Sequence, residues 1–430
     1  MIRAGTATKL LLMSVFTAGW FPVEVARGKD ANDSSWLKLP EIETHGFYEA
    51  RAGYRTRKDK YAKDMSIMES RLQLDLYSYL NWGDLRVKGD VFGDLVEEQG
   101  DFDLREANIF LRPFDFMDMK IGRQILTWGT GDLIFINDLF PKDWNSFFIG
   151  RDNEYLKAPS DAIKVSLFGK WANLDIVYTP QFDPDRYIDG RRLSYWSSPM
   201  GSLAGDNAIV HTDRPDHWFR DNEIAARLYK NIKNYEVALY GYRGFWKSPA
   251  GLNAAMNQAL FPDLNVYGAS VRGAVGKGIG NMEVGHYDSA DDASGKNALL
   301  NNSEMRYLAG YTQEIGRDLT LGLQYYVEQM LDYHAYKRSL TSGPAGDQYR
   351  HLTTLRLTKL LMNQNLRLSL FTYYSPSDND AHLRPNIHYK VNDNLSWEMG
   401  ANIFFGDYPN TFFGQFENNT NIYTGLRYSF

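Results

Sequence analysis

Between Met117 and Asp161 the sequence crowds together residues able to sort solutes by charge. The stretch runs through Gly122-Arg123-Gln124 and Trp128-Gly129-Thr130-Gly131-Asp132. It then reaches Asn137-Asp138-Leu139-Phe140-Pro141-Lys142-Asp143-Trp144. Arg123, Asp132, Asp138, Lys142, Asp143, Trp144, Arg151, Asp152 and Glu154 are the candidate constriction and selectivity residues. Charges of both signs without a paired nucleophile and base suit a lining that discriminates between passing molecules better than they suit catalysis. Phe135, Phe140, Trp144, Phe147, Phe148 and Tyr155 lie among them. Exposed to water, those rings would make an unusual apolar patch. Two solutions are open: a loop folded inward against a wall, or a structural lid over a mouth. A structureless connection of about thirty residues is in either case uncommon and usually functional.

Other chemistries find little support. The chain has no cysteine, which excludes disulfides, thiolate metal sites and cysteine nucleophiles. Its eight histidines are scattered and no Gly-x-Ser-x-Gly elbow occurs. Ser369 and His388 make the nearest approach to a nucleophile and base. Asp183, Asp185 and Asp189, and again Asp291 and Asp292, offer oxygen ligands, but neither run has the spacing of a calcium loop, and turn formation explains them. No metal, cofactor or enzymatic activity is expected. A net charge of −6 over 430 residues points to no nucleic-acid partner.

The elements that hold the charged stretch alternate with period two. Leu72, Leu74 and Leu76 interleave with Arg71, Gln73 and Asp75, and Trp397, Met399, Ala401, Ile403 and Phe405 with Glu398 and Asn402. That spacing places the two sets on opposite faces of a strand. About eighteen such segments are legible, each near the ~9–11 residues of a tilted membrane-crossing strand. They fall near 45–55, 66–80, 84–95, 103–112, 117–128, 161–169, 173–182, 222–231, 235–246, 265–275, 279–288, 304–315, 319–330, 350–360, 366–375, 381–391, 395–405 and 420–430. Tight turns alternate with long connections at 129–160, 183–221, 247–264, 289–303 and 331–348. Short turns on one side and long loops on the other belong to an all-β outer-membrane barrel with periplasmic turns and extracellular loops. Composition agrees: aromatics reach 14% while mean hydropathy is −0.45, as an apolar exterior around a wet lumen requires.

Arg3, Lys9, the apolar run from Leu10 to Phe21 and Ala26-Arg27-Gly28 read as a cleaved signal peptide at 1–28. A lead at 29–44 and the barrel at 45–430 follow. The chain ends on an alternating strand closing with Tyr428 and Phe430. That ending resembles the closing strand of bacterial outer-membrane proteins, which implies recognition by the barrel-assembly machinery. Outer-membrane lipid is then the surrounding solvent.

The inward set carries both signs, Glu49, Arg51, Glu69, Arg71, Arg86, Lys88 and Asp90 among them, and a salt-bridge lattice bracing the wall accounts for most of it. From Arg356 onward it turns cationic, with Arg356, Arg367, Arg384, Lys390 and Arg427. Such a strip would favour anionic solutes. Lys120-Ile121-Gly122-Arg123-Gln124 followed by Gly129-Thr130-Gly131-Asp132-Leu133 resembles the alginate-export family of Gram-negative outer-membrane barrels. The resemblance implies eighteen strands and an arginine-lined constriction that passes a polyuronate, with Arg123 the residue carried over. The chain is also similar to barrels that accompany inner-membrane lipid exporters. Two functions follow as expectations. One is a channel passing a hydrophilic, anionic solute or polysaccharide by diffusion. The other is a non-conducting barrel that docks a periplasmic or inner-membrane export complex, its lumen plugged by the long loop.

Overall fold

The computed structural model describes residues 41–341 and 345–430. The expected signal peptide and most of the lead at 29–44 lie outside the described residues, and the lead's last residues already belong to the first strand. In chain order the barrel strands are β1 Ile42–Arg55, β2 Met65–Leu80, β3 Gly83–Asp94, β4 Gln99–Phe114, β5 Met117–Ile125 and β6 Pro159–Phe168. Then come β7 Asn173–Thr179, β8 Glu223–Ile232, β9 Tyr235–Phe245, β10 Asp263–Val275, β11 Gly278–Ser289 and β12 Glu304–Gly316. The last six are β13 Leu319–Met330, β14 Tyr349–Leu361, β15 Leu366–Ser375, β16 Asp380–Lys390, β17 Leu395–Gly406 and β18 Asn421–Ser429.

These form one 18-stranded antiparallel sheet. It closes on itself because β1 pairs with β2 on one side and with β18 on the other, from Phe47 opposite Ser429 to Arg55 opposite Asn421. Closure removes the unpaired edges that hydrocarbon could not solvate. The terminal Phe430 extends the seam by exchanging backbone hydrogen bonds of 3.0 and 3.1 Å with Gly46. A side chain at Gly46 would collide with the Phe430 ring.

Strand ends depart from expectation where proline intervenes. β5 stops at Ile125 instead of 128, because Ile125 lies opposite Pro159, which has no N–H to extend the ladder. β7 stops at Thr179, before Pro180, for the same reason.

Alternation sorts the side chains as the sequence requires. Leu72, Leu74, Val91, Leu239, Met282, Leu323 and Ile422 are exposed on the outer face. Tyr79, Trp82, Phe114, Phe116 and Trp171 ring the end bearing the tight turns, and Trp218, Phe219 and Tyr374 the end bearing the long loops. This is the exterior of a membrane barrel with two aromatic girdles. The main buried apolar cluster therefore forms inside the barrel, between inward wall residues such as Tyr373 and Phe404 and loop residues such as Phe147 and Phe148.

Candidate functional site

The connection 126–158 lies against inward-facing side chains on many strands, so Phe140, Phe147, Phe148 and Tyr155 are buried while Phe135 and Trp144 are half-buried beside a cavity. The descending arm docks on β11 to β15. Glu283 accepts from the Thr130 and Gly131 backbone N–H groups, and the Gln324 amide exchanges hydrogen bonds with the Asp132 backbone at 2.7 and 2.8 Å. Asp132 is paired with Arg356, and the Tyr373 hydroxyl donates to the Leu133 carbonyl. A helix, Trp144–Ile149, then starts on Asp143, whose carboxylate accepts from the Ser146 N–H at 2.8 Å. Its Phe147 and Phe148 pack edge-on against His382, and Phe148 also against Phe404. Burial of each such ring contributes about 1.5–3 kcal/mol, which offsets the ordering of a long loop.

The returning arm docks on β18 and β1 to β4. Arg51 donates to the Gly150 carbonyl at 2.7 Å, and Arg151 grips Glu69 with two hydrogen bonds of 2.6 and 3.0 Å. Tyr155 is held between the guanidinium groups of Arg71 and Arg105, 4.5 and 4.7 Å from its ring centre. Below these contacts Glu69, Arg71 and Asp90 form a nearly fully buried ion-pair chain across β2 and β3. The expected charge lattice is present, and here loop cover keeps water from it.

The candidate residues divide into two groups. Asp138 and Lys142 form a buried ion pair at 3.0 Å. Asp143 caps the helix, the Trp144 indole N–H donates to Asp185 at 3.0 Å, and Arg151 is spent on Glu69. These five hold the segment together. Asp132, Asp152 and Glu154 keep 45%, 34% and 30% of their side chains exposed.

Arg123 is a correction. Lys120, Gly122 and Gln124 occupy the inward positions of β5, so by register Arg123 falls with Ile121 on the opposite face; it pairs with Asp161 at 2.9 Å, donates to the Leu104 carbonyl and borders a pocket with Asp185 and Arg186. Gly122 has a φ of +113° and no room for a side chain against the Ala107 carbonyl. The Gln124 amide folds back on the Lys120, Gly122 and Ala162 carbonyls. Gly-Arg-Gln thus pins the strand end from which the long connection departs.

The cationic strip is a second correction. Arg356 is occupied by Asp132; Arg427 is shared by Glu49 at 2.9 Å, Glu154 at 3.2 Å and Asp152 at 3.6 Å. Arg384 is buried over the Phe147 ring and donates to Asn402 and Asn153. Lys390 pairs with Asp393 beside a tight turn. Arg367 is exposed and has no hydrogen bond or ion pair among the described residues. The loop supplies carboxylates that wall alternation alone could not reveal. Ser369 lies opposite Asn386, and His388 opposite Arg367, so the nearest nucleophile and base are not cross-strand partners.

Sequence reasoning gave the connection after β7 no site role. Its Asp185 accepts from the Lys142 backbone N–H, and Arg186 joins Asp103 of β4 to Asp143. Further along, Arg192 reaches Asp94 and Glu97 at the end of β3. A signal existed in the dense alternation of Asp183, Asp185, Arg186, Asp189, Arg191 and Arg192.

Two expected outcomes arise here. Gly150 adopts a φ of +90°, and a Cβ there would enter the Tyr423 ring. Gly150→Ala is expected to combine roughly 1–2 kcal/mol of left-handed strain with that collision and to loosen the helix from β18. Limited proteolysis of the folded barrel checks this through faster cleavage near residue 150. Asp152 concerns pH. Burial alone would raise its carboxyl, but Arg427, the Glu154 backbone N–H and Arg51 hold it below the usual carboxylate range. A folded value depressed below about 3.9 gives stability present above that pH and lost as pH falls through the lower value. The hold of Asp152 on Arg427 is therefore expected to persist down to about pH 4 and to weaken below it; limited proteolysis near residue 152 across that range checks it.

No family model matches the chain, and no curated protein matches it. Among solved structures it is similar to OccAB4 of Acinetobacter baumannii, with a TM-score of 0.57 at 10% identity over 91% of this chain and 99% of that one. OccAB3 of the same organism gives 0.55 at 10%, and the outer membrane protein OpdK of Pseudomonas aeruginosa 0.55 at 12%, both with the same coverage. Likeness at this identity is one of fold.

Proposed function

We propose that the protein is a passive outer-membrane channel for hydrophilic solutes, its lumen narrowed by residues 126–158. The observation that carries this reading is the contrast between faces: apolar outside, and inside a charged wall on which a charged loop is fastened. Such a wall has no use against lipid, and a water-filled path explains it. Solved barrels of the same fold, OccAB4 and OpdK among them, are consistent with it. The alginate likeness supplies no substrate, because the one residue it carries over, Arg123, is held by Asp161 and the Leu104 carbonyl.

Planar-bilayer recording of the refolded protein tests the reading. Ion flux is expected. Silence both from the intact chain and from one lacking the loop would refute a channel. The second reading, a plugged barrel docking an export complex, draws on the buried aromatic cluster spanning loop and wall. It requires the intact chain to be silent and the loop-less chain to conduct.

A further inference from the structure

Toward the long loops lies a cavity of about 1040 Å³, bounded by the segment 126–158 and the surrounding connections. Small-molecule sites commonly enclose ~300–1,000 Å³, so this one has room for several linked rings. We propose that this vestibule binds an uncharged, hydroxyl-rich solute, a neutral oligosaccharide, on its way into the lumen. The inference rests on the channel reading and gives it a substrate class.

Charge argues against an anion. The cations lining the cavity are Lys142, Lys247, Arg306 and Arg350. Each is already engaged: Lys142 by Asp138 at 3.0 Å, Lys247 by Glu223 at 2.6 Å, Arg306 by Glu304, and Arg350 by Asp378 at 2.7 Å. A carboxylate or sulfate would meet Asp138, Asp185, Glu328, Asp347 and Asp378 on the same lining, with every cation there already paired. Hydroxyls face no such barrier, since they donate to a carboxylate's free lone pairs and accept from a guanidinium's spare N–H groups without breaking the pair.

Aromatic surface completes the site. Tyr408 and Phe412 are 62% and 46% exposed at the cavity rim, and the Arg350 guanidinium lies 4.9 Å from the Phe412 ring centre. A ring for the apolar face of a sugar thus adjoins a fork of donors for its hydroxyl edge.

The test uses maltotriose, with trigalacturonate as its anionic counterpart, each added at the long-loop side of a bilayer while intrinsic tryptophan fluorescence is titrated in detergent. Maltotriose is expected to interrupt the ion current and shift the fluorescence, at least about tenfold more effectively than trigalacturonate. Replacing Tyr408→Ala together with Phe412→Ala is expected to raise the half-blocking concentration about tenfold, with heat-modifiable gel mobility confirming that the barrel has folded. The proposal is overturned if current flows but maltotriose neither blocks nor shifts fluorescence up to about 100 mM, or if trigalacturonate binds more tightly. A protein silent with and without the loop overturns the channel reading instead, and the fluorescence titration then still decides the vestibule.

Discussion

Replacing residues 127–157 by a short Gly-Ser turn is expected to raise single-channel conductance several-fold. The design follows the register. Ile125 lies opposite Pro159 on adjacent strands, so Leu126 and Ala158 can be joined by a tight hairpin without moving either strand. Removing 134–155 alone would be a different experiment, because Leu133 is fastened to Tyr373 on β15 and Lys157 to Arg105 on β4, leaving the cut ends on separate parts of the wall. With the whole segment gone, the helix bearing Phe147 and Phe148 no longer fills the space beside His382 and Phe404. The ion-pair chain of Glu69, Arg71 and Asp90 then faces water, where charged groups are at least hydrated. Refolding yield should fall, since the aromatic wall loses its cover. Conductance equal to that of the intact chain would show that the segment does not limit flow and that the narrowest point lies in another loop.

The contrast between Arg123 and Asp132 shows how much of this was legible. Strand register is a property of period-two alternation, and eighteen segments were recoverable from it because each must turn one face to lipid and the other to water. The turn asymmetry added orientation. Alternation also contained the answer for Arg123, since Lys120 and Gln124 lie inward on either side of it, whereas a motif likeness is blind to the local period. Asp132 is a different case. Nothing within thirty residues of it indicates that it meets Arg356, more than two hundred positions later. A strip of cations read from one wall looks open until the loop that crosses to it is placed, and loop paths depend on long-range packing that no local pattern encodes. The same holds for Arg186 and Arg192, whose partners lie on β4 and beside β3.

That pairing across the lumen leads to the second large effect. The triple change Asp132→Asn, Asp152→Asn and Glu154→Gln is expected to turn the channel distinctly anion-selective. At present Arg356 and Arg427 are covered by these carboxylates, and Lys88 approaches Glu154 at 3.4 Å. The substitutions preserve shape and most hydrogen bonding while removing three negative charges from partly exposed side chains. Arg356 and Lys88 are then released and Arg427 keeps Glu49 alone, and they join Arg367, already exposed on the same wall. A unit charge about 4 Å from a passing ion is worth about 1 kcal/mol at water-like dielectric, roughly a fivefold bias, so the anion-to-cation permeability ratio should rise about five- to tenfold. Reversal potentials across a salt gradient measure it. Screening supplies the internal control, because the Debye length falls from about 10 Å at 0.1 M to about 3 Å at 1 M. A bias produced by lumen charge should shrink accordingly, whereas one produced by a rearranged, wider pore would persist and would come with higher conductance. Unchanged selectivity at low salt would mean that ions do not pass these side chains, and the conducting path would then have to run along another part of the wall.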